Sequence, residues 1–126
     1  ALAEHVAEAL DRAEPIDPKL SIVRHETHDI GVGMTPIAAL LNEPVLKVEF
    51  VDWAIGDVRL VSIPGEAFHL LGSEIASARN DRVLLAGISP AWHGYLPHPW
   101  GEGYEEGVSY GEEFVAAVRA VLTSAP

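Results

Sequence analysis

The stretch 45–63 constrains the fold more than any other part of this chain, because it has the pattern of two strands joined by a tight turn. Over residues 45–50, apolar and charged side chains alternate, as in a strand that buries one face. Gly56-Asp57 is a turn sequence, and residues 58–63 make a second strand. The sequence therefore predicts a β-hairpin near the middle of the chain.

Helical and extended patterns precede and follow this hairpin. A helix is predicted over residues 1–13 and ends before Pro15, and its apolar stripe consists of Leu2, Val6, Ala9 and Leu10. A strand over 20–30 and a loop over 31–44, with one helical turn at 37–41, follow. After the hairpin, Pro64-Gly65 breaks the strand and a second helix runs from Glu66 to about residue 80, with the stripe Phe68, Leu71, Ile75 and Ala78.

The last third of the chain predicts one more strand and one more helix. Residues 83–88 are wholly apolar, which is typical of a buried central strand. Ser109 and Glu112 have the spacing of a capping box, and the helix after them has the stripe Phe114, Val118, Val121 and Leu122. The order of elements predicts one mixed α/β domain or subdomain over 1–126, with about four strands covered by amphipathic helices.

Composition excludes several classes of function. The 126 residues include 19 acids and 8 Lys or Arg, which gives a net charge of −11 with no basic cluster, so no nucleic-acid partner is expected. The absence of cysteine excludes disulfides, thiolate nucleophiles and sulfur-bound zinc. No apolar run approaches the ~20 residues of a membrane-spanning helix. Because the chain opens without Met inside a helical pattern, we expect a piece of a longer protein, and nothing indicates its compartment.

Two segments are candidates for a site. In the first, Glu66 follows a strand and a Pro-Gly corner, where ligands of sheet proteins gather, although a carboxylate in a first helical turn also complements the helix dipole. The second is the loop after residue 88, which is rich in aromatic residues and forms either a binding wall or a packed satellite of the core. If 83–88 lies parallel beside 58–63, Glu66 and Tyr95 emerge at the same edge.

The histidines do not form a standard metal motif. His25 and His28 are three apart on a predicted strand, so their side chains point to opposite faces. His69 lies beside a helical stripe, where a surface or core role is expected. His93 and His98 flank Tyr95 and are better functional candidates. The standard fingerprints of metalloproteases, serine hydrolases, P-loop proteins and dinucleotide-binding proteins do not occur.

An ordered set of short motifs resembles the neutral/alkaline ceramidase family, in the C-terminal part of its catalytic domain. The motifs are VSIPGEAF at 61–68, an amphipathic helix, an apolar strand, GYLP at 94–97 and GYE at 103–105. They cover about residues 57–112, and residues 1–56 agree only in general layout. The resemblance implies a zinc-dependent amidohydrolase that cleaves the amide bond of N-acylated sphingoid bases.

The resemblance also implies roles for individual residues. Glu66 and Tyr95 correspond to zinc ligands, and Tyr104 corresponds to a tyrosine beside the scissile amide. The remaining ligands are histidines far upstream, with a catalytic serine, and neither motif occurs in these residues. The zinc site is therefore incomplete in this chain, and the expected partners are a lipid amide or other small amide, and the rest of the polypeptide or another chain. Such a ligand set suits Zn²⁺ with one position left for water.

Departures from the family concern the substrate side. The segment 89–93 replaces an Asn and an aromatic or acidic residue of the family, and the loop from Tyr95 to Tyr104 is shortened. Trp92, His93 and Trp100 are the expected substrate-binding residues on this altered wall. The competing hypothesis is a non-catalytic binding or assembly domain that retains the fold.

Overall fold

The structure is a computed structural model of the chain, and it describes residues 2–17, 19–79, 82–101 and 103–124. Its helices are α1 Leu2–Asp11, α2 Pro36–Leu41, α3 His69–Ala78, α4 Tyr104–Gly107 and α5 Glu112–Thr123. Its strands are β1 Leu20–Gly31, β2 Val45–Ile55, β3 Val58–Ile63, β4 Glu66–Ala67, β5 Arg82–Gly87 and β6 Tyr95–Leu96.

The main sheet has four strands in the order β1-β2-β3-β5. The pairs β1–β2 and β2–β3 are antiparallel, whereas β5 runs parallel to β3 and reaches it through α3. The predicted hairpin is confirmed as β2–β3, with Ile55 opposite Val58 across the Gly56-Asp57 turn. The mixed α/β class is also confirmed.

The hydrophobic core lies between one face of this sheet and the helices α3 and α5. The strand side chains Val48, Phe50, Val61 and Ile63 meet Leu71 and Ile75 of α3 and Phe114, Val118 and Leu122 of α5, and every one of them is buried. The alternation along β2 and β3 places these strand residues on a single face. The stripe predicted for α5 therefore faces the core, as do Leu71 and Ile75 of the stripe predicted for α3, whereas Ala78 is exposed and Phe68 lies before the helix.

A buried ion cluster lies at the end of this core. Asp52 of β2 is fully buried and contacts Arg24 of β1 at 3.2 Å and Arg79, which follows α3, at 3.0 Å. The same two guanidinium groups donate to the carbonyl oxygens of Val121 and Leu122 in the last turn of α5. Cations favour that end of a helix, since the unpaired carbonyls give it a partial negative charge.

The opposite face of the sheet carries a row of apolar side chains that spans all four strands. Ile22 is paired with Trp53, Trp53 with Leu60 and Leu60 with Leu84, so the four side chains project from one face. None belongs to the core cluster, and Ile22 and Leu84 are 61% and 57% exposed. We call this row the open face.

Helix α1 forms as predicted, but its apolar stripe does not cover the sheet. None of its residues is buried, and Leu2 and Leu10 are 79% and 69% exposed. The expectation that amphipathic helices cover the sheet is thus correct for α3 and α5 and wrong for α1.

Three local predictions were wrong. Strand β5 lies at the sheet edge and is largely exposed, and its run is apolar on both faces because Leu84 completes the open face while Val83 packs on the core. Residues 66–67 are extended, and the helix begins only at His69. The helix α5 begins at Glu112 with Gly111 as its N-cap, so Ser109 and Glu112 do not form a capping box.

No described helix is long and apolar enough to cross a membrane. The predicted end of the second helix near residue 80 agrees with α3 up to Ala78, and Asn80 lies outside the described residues.

Candidate functional site

Glu66 and Tyr95 face each other across a short parallel pairing of β4 with β6. The register places Glu66 opposite Tyr95 and Ala67 opposite Leu96. The Glu66 amide donates to the Gly94 carbonyl at 3.0 Å, and the Phe68 amide donates to the Leu96 carbonyl at 3.4 Å. The predicted proximity of Glu66 and Tyr95 assumed that β3 and β5 are parallel, and this arrangement is confirmed.

Two glycines let the backbones approach closely enough for this pairing. A Cβ at Gly65 would lie 2.8 Å from the Gly94 carbonyl oxygen, and Gly94 has a φ of +76°. The segment before β6 is fixed to the end of β3, since the amides of Ile88, Ser89 and His93 donate to carbonyls of residues 63–65. The Pro-Gly corner and the GYLP motif are therefore parts of one backbone structure.

The electrostatics of this pair favour a cation. The nearby Glu66 carboxylate raises the pKa of Tyr95 above its usual value, and burial, Tyr104 and Glu105 add to this rise. A negative neighbour opposes formation of the phenolate, whereas a bound cation would favour it. Glu66 is exposed and Tyr95 is half-buried, so both side chains are open to a ligand.

Tyr104 joins the same cluster. Its ring lies 6.4 Å from that of Tyr95, centroid to centroid, in an edge-on arrangement, and the residue is 73% exposed. Its position at the start of α4 is fixed by Glu106, whose carboxylate accepts hydrogen bonds from the amides of Gly101 and Gly103. Glu66, Tyr95 and Tyr104 are thus brought together.

The remaining predicted site residues are Trp92, His93 and Trp100. Trp100 packs against the core and lines a different cavity with Pro97, His98 and Arg119. His93 is half-buried, its ring lies 6.4 Å from that of Phe114, and burial lowers its pKa. Trp92 is partly exposed on the segment that precedes β6.

The other histidines contact carboxylates or lie on the surface. His98 contacts Glu74 at 3.1 Å, and Glu74 also pairs with Arg119. His25 is exposed beside Glu49, whereas His28 contacts Glu26 and the ring of Phe50. Because Phe50 belongs to the core, the expectation that His25 and His28 lie on opposite faces is confirmed. His69 is exposed.

An apolar groove of about 660 Å³ between α3 and β5 opens beside Glu66. Its lining includes Ile63, Ala67, Phe68, Leu85 and Ile88. Gly72 of α3 makes room for it, since a Cβ there would lie 3.2 Å from the Leu85 side chain. This groove was not predicted from the sequence, although small residues at Gly72 and Ala76, one helical turn apart, indicate room beside α3.

No group of three or more His, Asp or Glu side chains able to hold a metal occurs within the part of the chain that the structure describes. Glu66 and Tyr95 supply two neighbouring oxygen donors, whereas a catalytic zinc site needs three protein ligands and an open position. The pair fits zinc only as part of a larger ligand set.

Comparison with known proteins gives no further assignment: no family model, curated protein or solved structure matches this chain.

Proposed function

We propose that this chain is the C-terminal part of the catalytic domain of a zinc-dependent amidohydrolase similar to neutral ceramidase. Its reaction is hydrolysis of the amide bond of an N-acyl lipid or another small amide. The observation that carries the proposal is the pairing of Glu66 with Tyr95, because two residues that are far apart in sequence and match family ligands are direct neighbours on paired strands.

In this proposal, Glu66 and Tyr95 hold zinc together with ligands from the rest of the polypeptide or from another chain. The exposed carboxylate beside Tyr95 supports a cation as the occupant, since a cation would favour the phenolate that this carboxylate opposes when it raises the pKa of Tyr95. When bound, the metal lowers the pKa of its water and polarises the amide carbonyl.

The other residues act on the substrate. The phenol of Tyr104 is exposed beside Tyr95 and donates a hydrogen bond to the amide oxygen as negative charge develops there. The groove between α3 and β5 is apolar and opens beside Glu66, which supports a substrate with a hydrocarbon part. An uncharged amide is compatible with a chain of net charge −11.

The metal assignment is tested by calorimetric titration of the 126-residue chain with zinc near neutral pH. Two ligands alone bind weakly, so we expect one weak site that Glu66→Ala abolishes and Tyr95→Phe weakens. His25→Ala is the matched control, since it removes an exposed imidazole on the main sheet and leaves the zinc affinity unchanged. Unchanged zinc binding in both Glu66→Ala and Tyr95→Phe would contradict the assignment of these two residues as zinc ligands.

The alternative, a non-catalytic binding or assembly domain, is favoured by one observation, the open face. The sequence that precedes Ala1 in the complete protein distinguishes the two. Two well-separated histidine motifs there favour the enzyme, whereas an unrelated domain or a natural start favours the assembly domain.

A further inference from the structure

The open face is an apolar surface of defined size. Its row crosses four strands, and three spacings of about 4.8 Å make it about 14 Å wide. Leu20, Ile55 and Val58 form a second row beside it, because Leu20 is paired with Ile55 and Ile55 with Val58. Within this second row Leu20 is exposed, Ile55 is half-buried and Val58 is buried. Single exposed apolar residues are ordinary, but a contiguous patch of this kind marks an interaction surface.

Helix α1 has the complementary shape. Leu2, Val6 and Leu10 are spaced by four residues and therefore form one stripe on its surface. Ten residues make a helix about 15 Å long, which matches the width of the open face. The chain thus carries two apolar surfaces of similar length. No residue of α1 is buried, and on the open face Ile22 and Leu84 are exposed while Trp53 and Leu60 are half-buried.

The linker between them is packed at the turn end of the hairpin. The amide of Gly56 in the β2–β3 turn donates to the Lys19 carbonyl at 3.2 Å. A Cβ at Gly56 would lie 2.9 Å from the Asp17 carbonyl oxygen, so residue 17 is also packed on this turn. Residues 17 and 19 are therefore fixed at the turn end of the hairpin, and α1, which precedes them in the chain, has no buried residue.

We propose that α1 docks across the open face of a second copy of this chain, in a symmetric exchange that forms a dimer. Each copy gives one helix and receives one, so every apolar side chain of both surfaces is covered without release of the linker from Gly56. Exchange of an identical element is a low-cost route to a dimer. This surface is separate from Glu66 and Tyr95, and self-association is measured without zinc or substrate, so its failure and the failure of the proposed function are distinguishable.

The area of the contact determines how strongly the two copies are expected to associate. A helix about 10 Å wide and 15 Å long covers a modest area, and two such contacts stay below the ~1,200 Å² of standard stable interfaces. We therefore expect a weak dimer that dissociates on dilution. Because each copy carries a charge of −11, the measurement belongs at physiological ionic strength, where a Debye length of about 8 Å screens the repulsion.

Sedimentation equilibrium over a range of concentrations tests the surfaces. Val6→Glu and Leu84→Glu each place a charge in one of the two surfaces, and we expect each to weaken association at least tenfold. Leu40→Glu is the matched control, since Leu40 is also exposed but lies on α2, and this variant associates like the parent. Circular dichroism verifies that all three variants remain folded. A chain that stays monomeric throughout, or association unchanged by Val6→Glu and Leu84→Glu, overturns the proposal.

Disulfide trapping distinguishes a second copy from the same copy, and the absence of native cysteine removes background. One preparation carries Val6→Cys, at the middle of the stripe, and another carries Leu60→Cys, at the middle of the row. We expect mixed oxidation to give disulfide-linked dimers that contain one of each. If a chain carrying both cysteines instead closes a disulfide within itself when dilute, and the mixture gives no dimer, the helix covers its own sheet and the exchange is wrong.

Discussion

Tyr95 is the residue whose chemistry depends most on a single neighbour. The Glu66 carboxylate is the largest cause of its raised pKa, ahead of burial and of the contributions from Tyr104 and Glu105. Tyr110, by contrast, owes its raised pKa to burial alone. The two tyrosines therefore separate an effect of charge from an effect of desolvation within one molecule.

We predict that Glu66→Gln lowers the pKa of Tyr95 towards its usual value of about 10, because the amide keeps the shape of the side chain but removes the negative charge that opposes phenolate formation. Tyrosine ring resonances followed by NMR from neutral to alkaline pH give each pKa separately.

Two internal controls belong to this titration. Tyr110 keeps its raised pKa in Glu66→Gln, since its cause is burial. Glu105→Gln lowers the pKa of Tyr95 less than Glu66→Gln does, because Glu105 makes the smallest contribution. Equal effects of the two substitutions would contradict the close pairing of Glu66 with Tyr95.

At the scale of elements, the pairing of β4 with β6 depends on the absence of a side chain at Gly65. A Cβ there would lie 2.8 Å from the Gly94 carbonyl oxygen and 3.0 Å from the Leu96 side chain, and the first of these is backbone. Overpacking of this kind costs about 1–3 kcal/mol. The strands must separate to accept even one methyl group.

We predict that Gly65→Ala lowers the free energy of unfolding by about 1–3 kcal/mol. It also exposes the Glu66 amide, which in the parent chain donates to the Gly94 carbonyl. Hydrogen exchange of the Glu66 and Phe68 amides, combined with urea unfolding, measures both effects. Gly87→Ala is the control, because a Cβ at Gly87 meets nothing nearer than 3.9 Å. Undiminished protection of the Glu66 amide in Gly65→Ala would show that the glycine is not required.

Elements defined by local pattern were predictable from the sequence. The hairpin follows from alternation and the Gly56-Asp57 turn, and the stripes of α3 and α5 follow from helical spacing. Strand β4 was not predictable as a strand, because only its partner, some thirty residues later in the chain, keeps Glu66 extended against a helical pattern. For the same reason the proximity of Glu66 to Tyr95 needed the assumption of a parallel β5.

The apolar pattern also could not tell which surface each side chain meets. The run 83–88 has the composition of a central strand, yet β5 lies at the edge because its second apolar face extends the open face. The stripe of α1 has the periodicity of a core helix, although none of its residues is buried in this chain. Periodicity shows that a face is apolar, and only the tertiary structure shows what covers it.

At the scale of the whole molecule, the cluster of Arg24, Asp52 and Arg79 joins the layers. Asp52 stands on the interior strand β2, and its two arginines come from β1 and from the end of α3. Both arginines also bind the last turn of α5. Four elements thus meet at this buried cluster, and no local sequence pattern indicated it.

We predict that Asp52→Ala lowers the free energy of unfolding by about 3–5 kcal/mol, because it leaves two buried guanidinium groups without their counter-ion. Urea unfolding followed by circular dichroism measures the change. Asp57→Ala is the matched control, since the Asp57–Arg82 pair is exposed and such pairs contribute about 0–1 kcal/mol. Equal losses in the two variants would contradict the role of burial.

The backbone contacts between the end of β3 and the segment 88–94 constrain the number of residues in that segment. Residues 88–94 are all that separates β5 from β6, and both strands lie beside the same stretch of chain, residues 58–67. Side chains alternate along a strand, so the loss or gain of one residue in the segment 88–94 would place the Tyr95 side chain on the opposite face of β6. Glu66 would then have a different neighbour. Apart from Gly94, whose φ is +76°, the length of this segment is therefore more constrained than its composition. Conserved length is the property by which relatives with the same site are to be recognised.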